Sequence, residues 1–124
     1  AKNPFNLALR FILEMVALVS LGIFGYYSSD GAMGVLAAIL FPFAFAVTWG
    51  VFAVRGDPSR SGKTVVATPG PVRLVLELLL FGLAVVALLL TGYNLSGLIF
   101  GIAIVIHYLL SLDRVKWLLK KPKL

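Results

Sequence analysis

The sequence predicts an all-α polytopic membrane protein, a four-helix transmembrane bundle. Three observations carry that expectation. Of 124 residues, 60% are hydrophobic and 13% charged, and the mean hydropathy is +1.02. A soluble domain has roughly 45–50% apolar and about 25% charged residues. Uncharged stretches long enough to cross a bilayer recur along the chain. They lack the apolar/polar alternation of a membrane barrel, and an open sheet would leave backbone groups unpaired in lipid. The composition excludes a water-soluble globular domain and a disordered tail. The absence of cysteine excludes a disulfide scaffold.

A membrane helix needs about 20 mostly apolar residues. Between Arg10 and Asp30 lie 19 residues with one charge, Glu14. Asn3-Pro4 supplies an N-cap followed by proline at the first helical position. The first span is therefore expected at 5–27. It reads as a span and not a signal peptide. It carries Glu14 and ends in Tyr27-Ser28-Ser29-Asp30 with no small-x-small cleavage pattern. Between Asp30 and Arg55 lie 24 uncharged residues, which place a second span at 33–54 with Pro42 inside it. Membrane helices tolerate such a proline, with a kink. Pro69-Gly70-Pro71 opens the third helix. The 35 residues between Glu77 and Asp113 carry no charge. As one helix they would extend about 52 Å, against a bilayer core of about 30 Å. The turn-like cluster Gly92-Tyr93-Asn94-Leu95-Ser96-Gly97 divides them into spans at 72–91 and 96–114. The chain, 1–124, is read as one transmembrane domain.

All eleven Lys and Arg residues fall in three segments. Lys2 and Arg10 are N-terminal. Arg55, Arg60, Lys63 and Arg73 lie in or beside the central loop, 55–71. Arg114, Lys116, Lys120, Lys121 and Lys123 are C-terminal. The loops near 28–32 and 92–95 hold none. With four spans the three basic segments share one side, and the positive-inside rule puts both termini and the central loop in the cytoplasm. So one-sided a bias argues against dual-topology insertion. The net charge of +6 is thus a topology signal and not a nucleic-acid signal. Lys116, Lys120, Lys121 and Lys123 are also expected to attract anionic lipid headgroups, at about 1 kcal/mol per basic residue near the surface. Trp117 is an interface anchor among them, and Tyr26, Tyr27 and Tyr93 fit an aromatic belt on the other side.

An internal repeat stands out. Leu9-Arg10-Phe11-Ile12-Leu13-Glu14-Met15 matches Val72-Arg73-Leu74-Val75-Leu76-Glu77-Leu78, 63 residues on. Each half would be a two-helix hairpin. The halves have the same orientation, a parallel repeat. Residues four apart share a helix face, so each Arg is expected to meet its Glu. Ionisable groups in membrane helices are costly and face the bundle interior, where they pair. His107, Ser111 and Arg114 follow i, i+4, i+7 spacing on one helix face, and Thr48 and Trp49 lie near the same level. Arg10, Glu14, Arg73, Glu77 and His107 are therefore expected to form one polar cluster in the inner half of the bundle. The cluster has two readings. It fixes helix register and topology, or it serves as a proton or ion relay or an anion site. His107 is the group that titrates near neutral pH. A single His and no Cys supply no metal site.

Other signals are weaker. Gly56-Asp57-Pro58-Ser59-Arg60-Ser61-Gly62-Lys63-Thr64 looks like a phosphate-binding loop, but its glycine spacing is wrong and no strand-to-helix context surrounds it. Asp57-Pro58-Ser59-Arg60 reads instead as a turn that stops the second helix. Gly97-xxx-Gly101 and Gly34-xxx-Ala38 permit close helix approach, within the bundle or across a homo-oligomer seam.

Several of these features occur together in order: Arg10-x-x-x-Glu14, Trp49, Asp57-Pro58-Ser59-Arg60, Arg73-x-x-x-Glu77 and His107-Tyr108. In this the chain resembles the YrdB-like family of small bacterial membrane proteins, a domain of unknown function. The resemblance covers nearly the whole chain. It implies a bacterial inner-membrane protein of four helices and brings no activity, cofactor or catalytic residue. The sequence contains no recognisable nucleophile–base pair or metal set, so no enzyme is expected. Two functions stay open. One is a small structural or accessory membrane protein held by its polar cluster. The other is a small oligomeric channel or transporter in which Glu14, Glu77 and His107 handle protons or ions.

Overall fold

The computed structural model describes residues 4–59 and 64–121. The fold is all-α apart from one two-residue ladder. Helix α1 runs Pro4–Ser28, α2 Gly31–Val51, α3 Gly70–Leu90, α4 Asn94–Leu110 and α5 Leu112–Leu119. Strands β1 (Phe52–Ala53) and β2 (Val66–Ala67) pair in parallel within the central loop. Three helices, α1, α2 and α3, are long and apolar enough to cross a membrane. Helices α4 and α5 make a fourth such segment only if taken together, across a 71° bend. Large apolar side chains such as Val19, Ile39, Val75 and Ile99 point outward. That pattern is compatible with a membrane location and unsuited to water.

Helix starts agree with the proline signals. Helix α1 begins at Pro4, and the cap residue Asn3 lies outside the described residues. Helix α3 begins at Gly70 with proline in its first turn. Gly92 adopts φ +88° in the turn between α3 and α4, a conformation that favours glycine. Two expectations are corrected. Helix α2 ends at Val51, not at residue 54, because Arg73 Nη1 takes the carbonyls of Trp49 and Phe52 at 2.7 and 2.6 Å. A cation on the last carbonyls caps a helix, and Phe52–Ala53 then pair with Val66–Ala67. The segment expected as one helix over 96–114 breaks at Ser111. No proline or glycine marks the break. It turns α5 back over the end of the bundle, where the Gly70 amide donates to the Lys121 carbonyl at 2.6 Å. A Cβ at Gly70 would stand 1.8 Å from the Leu118 carbonyl oxygen, so only glycine admits this contact.

The buried stripes explain where the site lies. On α1 it reads Asn6, Arg10, Leu13, Ala17, Ser20, and on α3 Gly70, Arg73, Glu77, Phe81, Ala84, Leu88. Both start polar and become apolar. On α4 the order is reversed: Gly97, Phe100, Ile104, His107. The polar ends of the three stripes therefore meet at one end of the molecule. The rest is an apolar core of Leu13, Ala17, Phe45, Phe81, Ala84, Leu88, Phe100 and Ile104, where the Phe81 ring contacts Phe45, Trp49 and Phe100. Small residues serve intramolecular packing at the opposite end. Gly34 lies under the carbonyls of Tyr26 and Ser29, and Gly25 under that of Ala37. Gly97 packs on Leu88 and Leu89, while a Cβ at Gly101 would meet nothing among the described residues within 4 Å.

Candidate functional site

At the polar end the chain converges on one carboxylate. Glu77 is fully buried, at 0% exposure. Its Oε1 accepts from Arg10 Nη1 at 3.4 Å, Arg114 Nη1 at 2.9 Å and the Tyr108 hydroxyl at 2.7 Å. Its Oε2 accepts from Arg10 Nη2 at 2.8 Å, Arg73 Nε at 2.7 Å and Arg114 Nη2 at 2.7 Å. Three guanidiniums from α1, α3 and α5 thus share one anion, two of them through both terminal nitrogens. Such forked, charge-assisted contacts fix geometry as well as adding energy. A carboxylate offers about four lone-pair positions, and six donors crowd them.

A second carboxylate extends the network. Arg114 Nε and Nη2 donate to Asp57 Oδ1 and Oδ2 at 2.9 and 2.6 Å. Asp57 Oδ1 also accepts from the Ser59 amide and hydroxyl, each at 2.9 Å. That is the expected turn after α2, with Arg60 outside the described residues. Burial alone would raise the Asp57 carboxyl, but Arg114 and Ser59 outweigh it and hold Asp57 below the usual carboxylate value.

A neutral chain of hydrogen bonds closes the other flank. Asn6 donates its amide to the Ser111 hydroxyl, and its Oδ1 faces His107 Nδ1 at 2.9 Å. The carbonyl oxygen cannot donate, so His107 carries its hydrogen on Nδ1. His107 Nε2 then offers a lone pair to Arg10 Nη1 at 3.3 Å. His107 is thereby built in as a neutral acceptor. Trp49 lies against both repeat arginines, with Arg10 5.0 Å and Arg73 4.6 Å from its ring centroid. Among the described residues no buried side-chain nitrogen or oxygen lacks a partner.

The structure brings Arg10, Arg73, Glu77 and His107 together as the sequence predicts. Glu14 joins them at the rim of the cluster, 24% exposed, paired with Arg10 Nε at 3.5 Å and hydrogen-bonded to Trp49. Each Arg meets the Glu four residues on, Arg73 at 2.7 Å and Arg10 at 3.5 Å, but Arg10 also reaches across to Glu77 at 2.8 Å, so the repeat is not symmetric in its bonding. Sequence reasoning set the site too small. Arg114, Asp57, Asn6 and Tyr108 belong to it, and Arg114 and Ser111 could have been found from their shared spacing with His107. The neighbouring basic residues, Lys116 in α5 and Lys120 and Lys121 just after it, are exposed. Lys2, Lys63 and Lys123 lie outside the described residues. Among the described residues no group of His, Cys, Asp and Glu is placed to hold a metal.

Residues 8–105 match the family described as Protein of unknown function (DUF2568). The chain belongs to this family. It is also similar to the Uncharacterized protein YrdB of Bacillus subtilis (strain 168), 44% identical over 119 residues, which are 96% of this chain and 97% of that protein. The resemblance read from the motifs therefore holds. No solved structure matches the chain. The family match spans Arg10, Glu14, Asp57, Arg73 and Glu77 and stops short of His107 and Arg114.

Proposed function

We propose that the chain is a small structural or accessory protein of the bacterial cytoplasmic membrane, held by a buried ionic clasp at its cytoplasmic end. The observation that carries this is the saturated Glu77 carboxylate. A relay group needs a lone pair or proton that it can exchange, and the six donors on Glu77 leave none. His107, fixed as a neutral acceptor between Asn6 and Arg10, is committed in the same way. The same contacts tie α1, α3 and α5 to one point, which is what a clasp requires.

In this reading four segments cross the membrane, the fourth being α4 continued into α5, which bends into the interface. The one-sided distribution of the eleven basic residues supports an orientation with both termini and the loop 55–71 inside. Lys116, Lys120 and Lys121 then face anionic headgroups with Trp117 beside them. The open Gly101 leaves room for a homo-oligomer contact. The chain contains no cysteine, so single cysteines at Ser29 and Ser59 report topology. Labelling of Ser29→Cys from outside intact cells, with Ser59→Cys protected until lysis, is expected. The reverse pattern overturns the orientation. The transporter reading is tested by proton and ion flux in vesicles carrying the full chain. Flux above that of protein-free vesicles, lost in Glu77→Gln, would overturn the structural role.

A further inference from the structure

A cleft of about 570 Å3 opens beside the clasp, between α1 and the C-terminal end of α2. Small-molecule sites span roughly 300–1,000 Å3. Its polar walls are Arg10, Glu14, Trp49, Ser59 and Arg73, and the exposed Phe11 stands at its edge.

The walls divide by charge. Arg73 Nε is bound to Glu77 and Nη1 to two carbonyls, whereas Nη2 donates to no described residue. Arg73 lines the cleft although its side chain is only 2% exposed, and Nη2 is its one terminal nitrogen with no partner among the described residues. It offers two N–H donors with a positive charge. In the same lining Glu14 presents a partly exposed carboxylate that takes a hydrogen bond from Trp49 and pairs with Arg10 at 3.5 Å. A simple anion drawn to Arg73 meets the charge of Glu14, and a simple cation drawn to Glu14 meets that of Arg73. A ligand with both charges satisfies both walls.

We propose that this cleft binds a headgroup carrying both a phosphate and an ammonium, with the phosphate on Arg73 Nη2 and the ammonium on Glu14. Phosphoethanolamine is the simplest such group. It comes either from an aminophospholipid of the surrounding membrane or from a soluble phosphoethanolamine. Phe11 and Leu7 in the lining suit the glycerol and first methylenes of a lipid. The inference rests on the reading that the polar end lies at the headgroup level of the membrane.

The test titrates the purified full chain in detergent with phosphatidylethanolamine and with phosphatidylglycerol, followed by native mass spectrometry. The ethanolamine lipid is expected to bind about tenfold tighter, as for one gained charge-assisted contact. Glu14→Gln should abolish that preference and Glu14→Asp should keep it. Soluble phosphoethanolamine that displaces the lipid assigns the soluble source, and failure to displace it assigns the lipid. Equal binding of the two lipids by the native chain overturns the proposal even if neither variant folds. So does a preference that survives Glu14→Gln. Alkaline extraction of the chain from native membranes distinguishes the other failure. Release as a peripheral protein overturns the membrane reading, whatever the lipid result.

Discussion

Replacing Glu77 by Gln tests how the fold is held. The substitution keeps the shape and removes the charge. It also puts an amide NH2 donor where three guanidiniums already donate. Removing one partner from a buried ion pair costs roughly 3–5 kcal/mol, because the remaining charge stays buried and uncompensated. Here Arg10 and Arg73 lose their shortest carboxylate contact, while Arg114 retains Asp57. Against a total stability of about 5–15 kcal/mol, the loss is severe. It corresponds to a fall in Tm on the order of 10 °C. The sequence repeat makes Glu14 the counterpart of Glu77, yet Glu14 is partly exposed and its contact is long. Glu14→Gln should therefore cost below about 1 kcal/mol. Thermal unfolding of the full chain in detergent, followed by tryptophan fluorescence, measures both, since Trp49 lies on Arg10 and Arg73. Equal shifts for the two variants would refute the reasoning. So would a Glu77→Gln midpoint within about 2 °C of the native one.

Three further outcomes are expected. Gly70→Ala pushes a Cβ into the Leu118 carbonyl and should destabilise by about 1–3 kcal/mol. Limited proteolysis should then cut at Lys116 in α5, or at Lys120 just after it, before the rest of the chain. Gly101→Ala places a Cβ where no described residue stands within 4 Å and removes a glycine from the interior of α4, so it should stabilise the chain in detergent by about 0.4–1 kcal/mol. Asp57, held below its usual value of 3.8, contributes stability that is present above that value and lost as pH falls through its folded-state value. The stability gap between native chain and Asp57→Asn should be full at neutral pH and close as the buffer is acidified below about 4. A gap that widens in acid would contradict the Arg114–Asp57 pairing.

Much of this architecture was legible in the sequence because apolar run length, prolines and turn glycines act locally. Pro4, Pro71 and Gly92 sit at helix ends as their backbone preferences require. The break at Ser111 was not legible. It has no local signal and follows from tertiary demands, since α5 must return Arg114 to Glu77 and Asp57 and lay its backbone on Gly70. The site was half legible. The repeated i, i+4 spacing brought out Arg10, Arg73 and Glu77, and the i, i+4, i+7 spacing with Ser111 and Arg114 brought out His107. Arg114 was masked by its neighbours, because a basic C-terminal segment already has a sufficient explanation in topology. Asp57 was masked by its turn, where Asp-Pro-Ser is ordinary. Glu14 shows the limit of the repeat. Identical spacing in two helices does not give identical partners when only one of them faces α5.

Glu77 holds distant segments directly through its three arginines. The double-mutant cycle of Glu77→Gln with Arg114→Gln, measured by unfolding in detergent, tests it most directly. The double variant is expected to lose less than the sum of the single losses, by more than about 1 kcal/mol. Additivity to within about 0.5 kcal/mol would contradict it.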